Sequence, residues 1–420
     1  PSEVGITCYG TEECNLGYVY RQDSSVLNGT IGEMHARKIT GLYRLAMKTG
    51  APVIGLIDCG GVRLEESTDA LNAMGAVMKC EALASGVIPQ ITAVFGTCGG
   101  GMSIVTALSD FTYVETSKGR LFLNAPDAVC CENKTDKCDT ASADFRFGTG
   151  EADFIGTEAE IFANMRALIA MLPGNNEVNG EIVPTNDDPN RAVTNIENLK
   201  DMSLALAMIA DNGIFTEVKK GYAKGTVTGF MRLNGETVGA IANNSKEMKS
   251  SDAKKIASMI RFCDAYSIPV VTLVNTEKFG QCPCTEKTMA DNSAALVNAY
   301  AMATVPKVTL IAGKAYGTPY ILMGSKAIGA DMVYAWSKAE IGMMDANAAA
   351  KIMYADSDAE TIKKGAEEFK ALQQNVNSAA ARGYVDTIIE PADTRKYLIG
   401  ALDMLYTKRE MRPDKKHASI

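Results

Sequence analysis

The chain has 420 residues, 46% of them hydrophobic and 22% charged, with a formal net charge of −8. That is apolar material for two domains of about 200 residues each, and the acidic balance excludes the basic footprint of a nucleic-acid binder. No apolar run reaches the roughly 18–20 residues that span a bilayer. With Pro1 at a start that reads as truncated or processed, no signal peptide is legible, and a cytoplasmic protein is expected.

In chain order, strand-like ITCYG and LGYVYRQ come first. A helix from about Gly32 to Lys48 puts His35, Ile39, Leu42 and Ala46 on one face. A buried strand over 52–57, a helix over 67–86, a strand over 89–95 and a helix from about Gly101 follow. PVIGLI and PQITAVF are apolar throughout, the pattern of strands covered by helices on both sides. PGNNEVNGEIVPTNDDPN (173–190) is rich in Pro, Gly, Asn and Asp and reads as a linker. It separates an N-terminal domain of about 1–185 from a C-terminal domain of about 200–420, across a linker of about 173–200. The second part opens on a hairpin, GTVTGFMRLNGETVGAIAN, turning at Asn234-Gly235. A helix over 252–266, a strand over 268–274, a helix over 285–303 and a strand over 306–312 come next, then helices near 357–375 and 393–408. Alternating strands and helices predict an α/β fold.

The two parts repeat one another. APVIGLIDCGG, a helix and PQITAVFGTCGGG in the first correspond to IPVVTLVNTEKFG, a helix and PKVTLIAGKAYG in the second. The same offset of 217 residues separates Asp58 from Asn275 and Gly96 from Gly313. A constant offset between glycine-bearing turns indicates duplication. Two similar turns imply two half-sites and a reaction that brings two groups together.

Gly96-Thr97-Cys98-Gly99-Gly100-Gly101 leaves a buried strand and enters a helix. The first helical N–H groups lack intrahelical partners, and the helix dipole adds positive potential, which suits a phosphate or a developing oxyanion. The alternative is a tight turn that uses glycine for φ > 0. Neither a dinucleotide fingerprint nor a Walker loop is present. After the preceding strand, Gly60, Gly61 and Arg63 lie where α/β sheets place ligand-contacting loops. Arg63 suits a phosphate or carboxylate, or alternatively an ion pair with Glu65 or Glu66. The eleven cysteines read as free thiols. Neither Cys130, Cys131 and Cys138 nor Cys282 and Cys284 form a zinc knuckle, so no metal is expected. His35 and His417 pair with no nucleophile motif, which leaves a histidine-dependent triad unsupported. Ala46-Met47-Lys48 imitates a biotinylation sequence, but Lys48 falls at a helix end and reads as an exposed cation. Any biotin arrives on another protein or domain.

TGAPVIGLIDCGGVRLEE, ASGVIPQITAVFGTCGGGMSIVTALSDFTYV, TGFMRLNGETVGAIANN, ASMIRFCDAYSIPVVTLV, ATVPKVTLIAGKAYG, GADMVYAWSKAEIGMM and the tail DTRKYLIGALDMLYTKREMRPDKKH resemble, in order and over nearly the whole chain, the carboxyltransferase (β) component of biotin-dependent acyl-CoA carboxylases and decarboxylases of the propionyl-CoA carboxylase type. The resemblance implies two tandem crotonase-like domains. It implies an acyl-CoA thioester on the N-terminal domain, a biotin from a carrier protein on the C-terminal domain of a partner subunit, and a homo-oligomer, dimeric or hexameric. By position, Gly100 and Gly101 would offer N–H groups to the thioester oxyanion, with Gly60, Gly61, Arg63, Cys98 and Met102 around the acyl-CoA. The equivalent pair falls on Thr318 and Pro319, facing the biotin ureido oxygen beside Phe279, Gly280 and Tyr316. Biotin itself would serve as the proton acceptor, which accounts for the missing histidine.

Two departures fall on the biotin side. Proline has no N–H, so a pair that includes Pro319 is one donor short, with Gly317 or Thr318 left to compensate. Glu277-Lys278-Phe279-Gly280 replaces the family's usual Pro-Gly-Phe. On the other side Cys59 stands for the usual Ser, and Met102 for a smaller residue. Three readings therefore stand: a carboxyltransferase moving a carboxyl group between biotin and an acyl-CoA α-carbon, a biotin-independent crotonase-type enzyme on CoA thioesters, and a non-catalytic paralogue that binds CoA esters or scaffolds a complex.

Overall fold

The computed structural model describes residues 5–12, 15–129, 139–178, 180 and 182–412. Cys130, Cys131, Cys138 and His417 lie outside these residues. Two compact units divide the chain: residues 1–179 with 219–222, and residues 180–218 with 223–420.

The first unit contains β1 (Gly5–Glu12), β2 (Asn15–Gln22), α1 (Glu33–Thr49), β3 (Val53–Cys59), α2 (Ser67–Ala84), β4 (Gln90–Gly99), α3 (Gly101–Leu108), β5 (Phe111–Glu115), β6 (Arg120–Phe122), α4 (Ala143–Thr149), β7 (Phe154–Gly156) and α5 (Glu158–Ile169). Its sheet runs β1-β2-β3-β4-β5-β7, with β6 paired to the far end of β4. β1 and β2 are antiparallel, and the pairings from β2 to β7 are parallel. α1 buries His35, Ile39, Leu42 and Ala46, as its spacing predicts, and stops at Gly50 in the left-handed region, whose N–H caps the Ala46 carbonyl. Lys48 is exposed.

The second unit repeats this frame. It comprises α6 (Met202–Ile209), β8 (Phe215–Val218), β9 (Thr226–Leu233), β10 (Glu236–Asn243), β11 (Glu247–Met248), α7 (Ser250–Ala265), β12 (Val270–Thr276), β13 (Lys278–Phe279), α8 (Pro283–Met302), β14 (Lys307–Tyr316), α9 (Gly317–Leu322), β15 (Met332–Trp336), β16 (Glu340–Gly342), α10 (Ala346–Met353), α11 (Ala359–Phe369), α12 (Val376–Ala381), β17 (Thr387–Ile389) and α13 (Thr394–Leu405). The sheet order is β17-β15-β14-β12-β10-β9-β8, with β16 paired to β14. β10, β12, β14, β15 and β17 are parallel, matching β2, β3, β4, β5 and β7, and β16 takes the place of β6.

The β9–β10 hairpin turns at Asn234 (φ 53°) and Gly235 (φ 82°), both in the left-handed region that a two-residue turn of this hand requires. Both N–H groups donate to the Asp211 carboxylate, at 3.1 and 2.7 Å. Fully buried Arg395 on α13 neutralises that carboxylate at 2.6 Å.

Three local expectations are corrected. The helix expected over 357–375 is α11 followed by a π turn at Lys370–Gln374; there the buried Gln374 side chain turns inward and its amide donates to the Met344 carbonyl. β4 and β14 run to Gly99 and Tyr316, beyond 95 and 312, because each continues past a break in register to pair with β6 or β16. Cys282 and Cys284 are joined in a disulfide rather than free. Among the described residues, no helix is long and apolar enough to cross a membrane.

Candidate active site

β3 and β4 leave the first sheet side by side, with Cys59 opposite Cys98. The chain after β3 is pinned by backbone bonds: Gly60 N–H to the Asn28 carbonyl at 2.9 Å, Ile31 N–H to Gly61 at 2.8 Å, and Arg63 N–H to Ile31 at 2.8 Å. After β4, Gly99 has no room for a side chain, since a Cβ would fall 2.8 Å from the Phe122 ring. Gly100 takes φ 59°, ψ −131°, a conformation only glycine adopts without strain. Gly101 then opens α3.

This geometry sorts the residues named from sequence. Gly100 N–H donates to the Phe122 carbonyl at 3.0 Å, so it is not a free donor; pairing β4 with β6 consumes it. Gly101 N–H starts the helix, where no intrahelical acceptor exists. Among the described residues no backbone acceptor takes the N–H groups of Gly101 or Val62. Val62 follows Gly61, and Gly61 approaches Gly99 closely enough that its Cβ would lie 3.9 Å from the Gly99 carbonyl. Val62 is not among the residues named from sequence, because a backbone donor leaves no trace in residue type. The signal available was its place just after the Gly60-Gly61 pair.

Arg63 is engaged within the first unit. Its guanidinium bonds Glu66 at 2.5 Å and the Thr30 carbonyl at 3.0 Å, the surface-pair alternative. Cys98 and Met102 point into the core at zero exposure. Burial holds the Cys98 thiol far above its usual range and pushes Cys59 up to about 11, so neither is a thiolate nucleophile at neutral pH. His35 is likewise buried, with Nδ1 3.4 Å from the Thr30 carbonyl.

The second unit carries the same turn at the same offset. Gly280 N–H donates to Met248 at 2.8 Å as Arg63 does to Ile31, which puts Phe279 at the position of Val62. Gly317 has the Gly100 φ of 59°. The residue equivalent to Gly101 is therefore Thr318, and Pro319 matches Met102. By the same match the N–H groups that correspond to those of Val62 and Gly101 belong to Phe279 and Thr318. Tyr316 is 1% exposed and its hydroxyl donates to Glu340. A cleft of about 470 Å³ opens at this turn, lined by Thr318, Ile341, Met343, Gln373, Arg382 and Tyr384 among others.

A duplicated α/β frame with one glycine turn per half is the architecture of tandem crotonase-like domains, as found in carboxyltransferases. The chain matches the carboxyl transferase domain over residues 1–420. It belongs to that family and is an acyl-CoA carboxyltransferase of the biotin-dependent class. It is 39% identical to the methylmalonyl-CoA decarboxylase subunit alpha of Veillonella parvula, over 100% of this chain and 86% of that one. It is 35% identical to the propionyl-CoA carboxylase beta chain of Roseobacter denitrificans, over 99% and 85% of the two chains. The crystal structure of the transcarboxylase 12S hexamer with hydrolysed methylmalonyl-coenzyme A bound superposes with a TM-score of 0.93 at 33% identity, covering 99% of this chain and 84% of that one.

Proposed function

We propose that the chain moves a carboxyl group between biotin on a carrier protein and the α-carbon of a short acyl-CoA, with the thioester at the Val62/Gly101 turn and biotin at the Phe279/Thr318 turn. The observation that carries this is the repetition of one turn at a fixed 217-residue offset, since carboxyl transfer needs two oxygen-stabilising half-sites and little else from the protein. Gly101 and Val62 N–H groups would hold the thioester oxygen as charge develops on it. The Phe279 and Thr318 N–H groups would hold the ureido oxygen. Biotin supplies the carboxyl carrier and the proton acceptor. The cleft beside Thr318, with apolar Ile341 and Met343 and polar Gln373 and Arg382 in its wall, has the apolar body and few polar groups that suit a bicyclic ring. The subunits would work as a homo-oligomer, the acyl-CoA half-site of one with the biotin half-site of a partner.

The test is decarboxylation of malonyl-, methylmalonyl- and glutaconyl-CoA, with and without free biotin or a biotinylated carrier. Biotin-dependent loss of the carboxyl group establishes the reading and names the ester. Turnover without biotin replaces it with a biotin-independent crotonase-type enzyme, and CoA-ester binding without turnover replaces it with a binding protein. Because Pro319 matches Met102, Pro319→Ala is expected to leave biotin-dependent kcat within about twofold, against the 10²–10³-fold range of a true oxyanion donor. A tenfold gain would put residue 319 back in the donor pair.

A further inference from the structure

Both half-sites contain the same break in their strands. Ile57 pairs with Val94, but Cys59 pairs with Cys98, so β4 carries extra residues opposite Asp58. Val274 pairs with Ile311, but Thr276 pairs with Ala315, and the residue at the break is Asn275. Asp58 Oδ1 accepts the Thr97 N–H at 3.0 Å; Asn275 Oδ1 accepts the Lys314 N–H at 3.1 Å. Each side chain fills the place of a missing Cβ. On Gly96 that Cβ would lie 2.1 Å from Asp58 Oδ1, and on Gly313 it would lie 2.7 Å from Asn275 Oδ1. Neither glycine has a positive φ, so close approach, not backbone freedom, requires them.

Past the break, β4 changes partner and pairs with β6 from Thr97 to Gly99, and β14 pairs with β16 from Lys314 to Tyr316. These short stretches deliver the chain to Gly100 and Gly317. Bulges of this kind re-aim a strand end beside an active site. The side chain that fills the bulge therefore sets where the following N–H groups lie. Asp58 has a further tie, as its Oδ2 accepts the Ser24 hydroxyl at 2.5 Å.

We infer that Asp58 and Asn275 are paired positioning residues, one per half-site, that hold the Gly101 and Thr318 turns in place through the Thr97 and Lys314 amides. This rests on the carboxyltransferase reading of those turns. Neither side chain need touch substrate. A displacement of about 1 Å at a reacting centre costs up to about 10²-fold in rate, so the loss belongs in kcat.

The experiment measures carboxyl transfer to free biotin, from the ester the wild type uses, across a small variant set. Asp58→Ala and Asn275→Ala are expected to lose about 10–100-fold in kcat, with KM for ester and biotin held within about twofold. Asp58→Asn and Asn275→Asp keep the Oδ1 acceptor and are expected to recover kcat. Gly96→Ala should match Asp58→Ala, and the two together should be no worse than Asp58→Ala alone, because the side chain that the new Cβ strikes is already gone. Wild-type kcat in the alanine variants, no rescue by the conservative ones, or losses that multiply would overturn the inference. Amide hydrogen exchange at Thr97 and Lys314, recorded without substrate, reads the clamp independently. Exchange should speed up in the alanine variants and return in Asp58→Asn and Asn275→Asp. Unchanged exchange overturns the clamp whatever the activity, whereas a wild type inactive on every ester with the expected exchange pattern overturns the carboxyltransferase reading instead.

Discussion

Gly101→Pro is expected to lower carboxyl transfer by about 10²–10³-fold, the cost of one lost oxyanion donor, while the chain stays folded. The substitution removes the Gly101 N–H and little else. Residue 101 is the first of α3, where proline is well tolerated because that N–H has no helical partner. The nearest atoms to a Cβ there are side-chain atoms of Met74 and Met78, at 3.4 Å and beyond, and methionine side chains adapt. The preceding Gly100 already lies outside the helical region that a following proline disfavours. Gly101→Ala keeps the N–H and is the control, expected to retain most of the rate. Steady-state kinetics beside a thermal melt decides the matter: full activity in a folded Gly101→Pro variant would remove this turn from the site.

Stability of the first unit should fall as pH rises, and Glu81→Gln should abolish the fall. Glu81 on α2 has no exposed surface, and its Oε1 accepts the Tyr43 hydroxyl at 3.1 Å. Burial pushes its carboxyl up from 4.5 to about 8, against the Tyr43 and Tyr20 hydroxyls, which favour the charged form. Between these two values the unfolded chain releases the proton and the folded chain keeps it. The folded state therefore binds more protons, and unfolding free energy decreases with pH across that window. Each unit of difference is worth about 1.4 kcal/mol, so several kcal/mol separate the bottom of the window from its top. A glutamine has no proton to retain and keeps an oxygen for Tyr43. Urea unfolding at pH 5 and pH 8 should show Glu81→Gln gaining on the wild type by about 2–4 kcal/mol at the higher pH. A wild-type-to-variant difference that is the same at both pH values would mean that Glu81 ionises at its ordinary value.

Much of the frame was legible because it is written in local patterns. The apolar runs at 52–57 and 306–312, the helical face of His35, Ile39, Leu42 and Ala46, and the Asn234-Gly235 turn each depend on residues close in sequence. The match between the two turns was within reach too, since the 217-residue offset applied to Gly101 leads to Thr318. Residue type left open which groups are already engaged inside the protein. Arg63 suits an anion or a nearby glutamate by type, and the structure shows it bonded to Glu66 and the Thr30 carbonyl. Gly100 reads as a donor until Phe122 takes its N–H. The burial of Tyr316 and Cys98 at their strand ends, and of Met102 in the first turn of α3, is likewise not written in residue type.

The sequence alone determined the duplication, the α/β alternation, the family and the two glycine turns, because each is a matter of spacing and of which residues permit a given backbone. Only the tertiary structure decided which N–H groups at those turns remain unpaired, that Asp58 and Asn275 fill the gaps left by Gly96 and Gly313, and that burial pushes the Glu81 carboxyl up. Those properties belong to strands and helices brought together from distant positions, where hydrogen-bond competition and burial act on groups that no sequence interval relates.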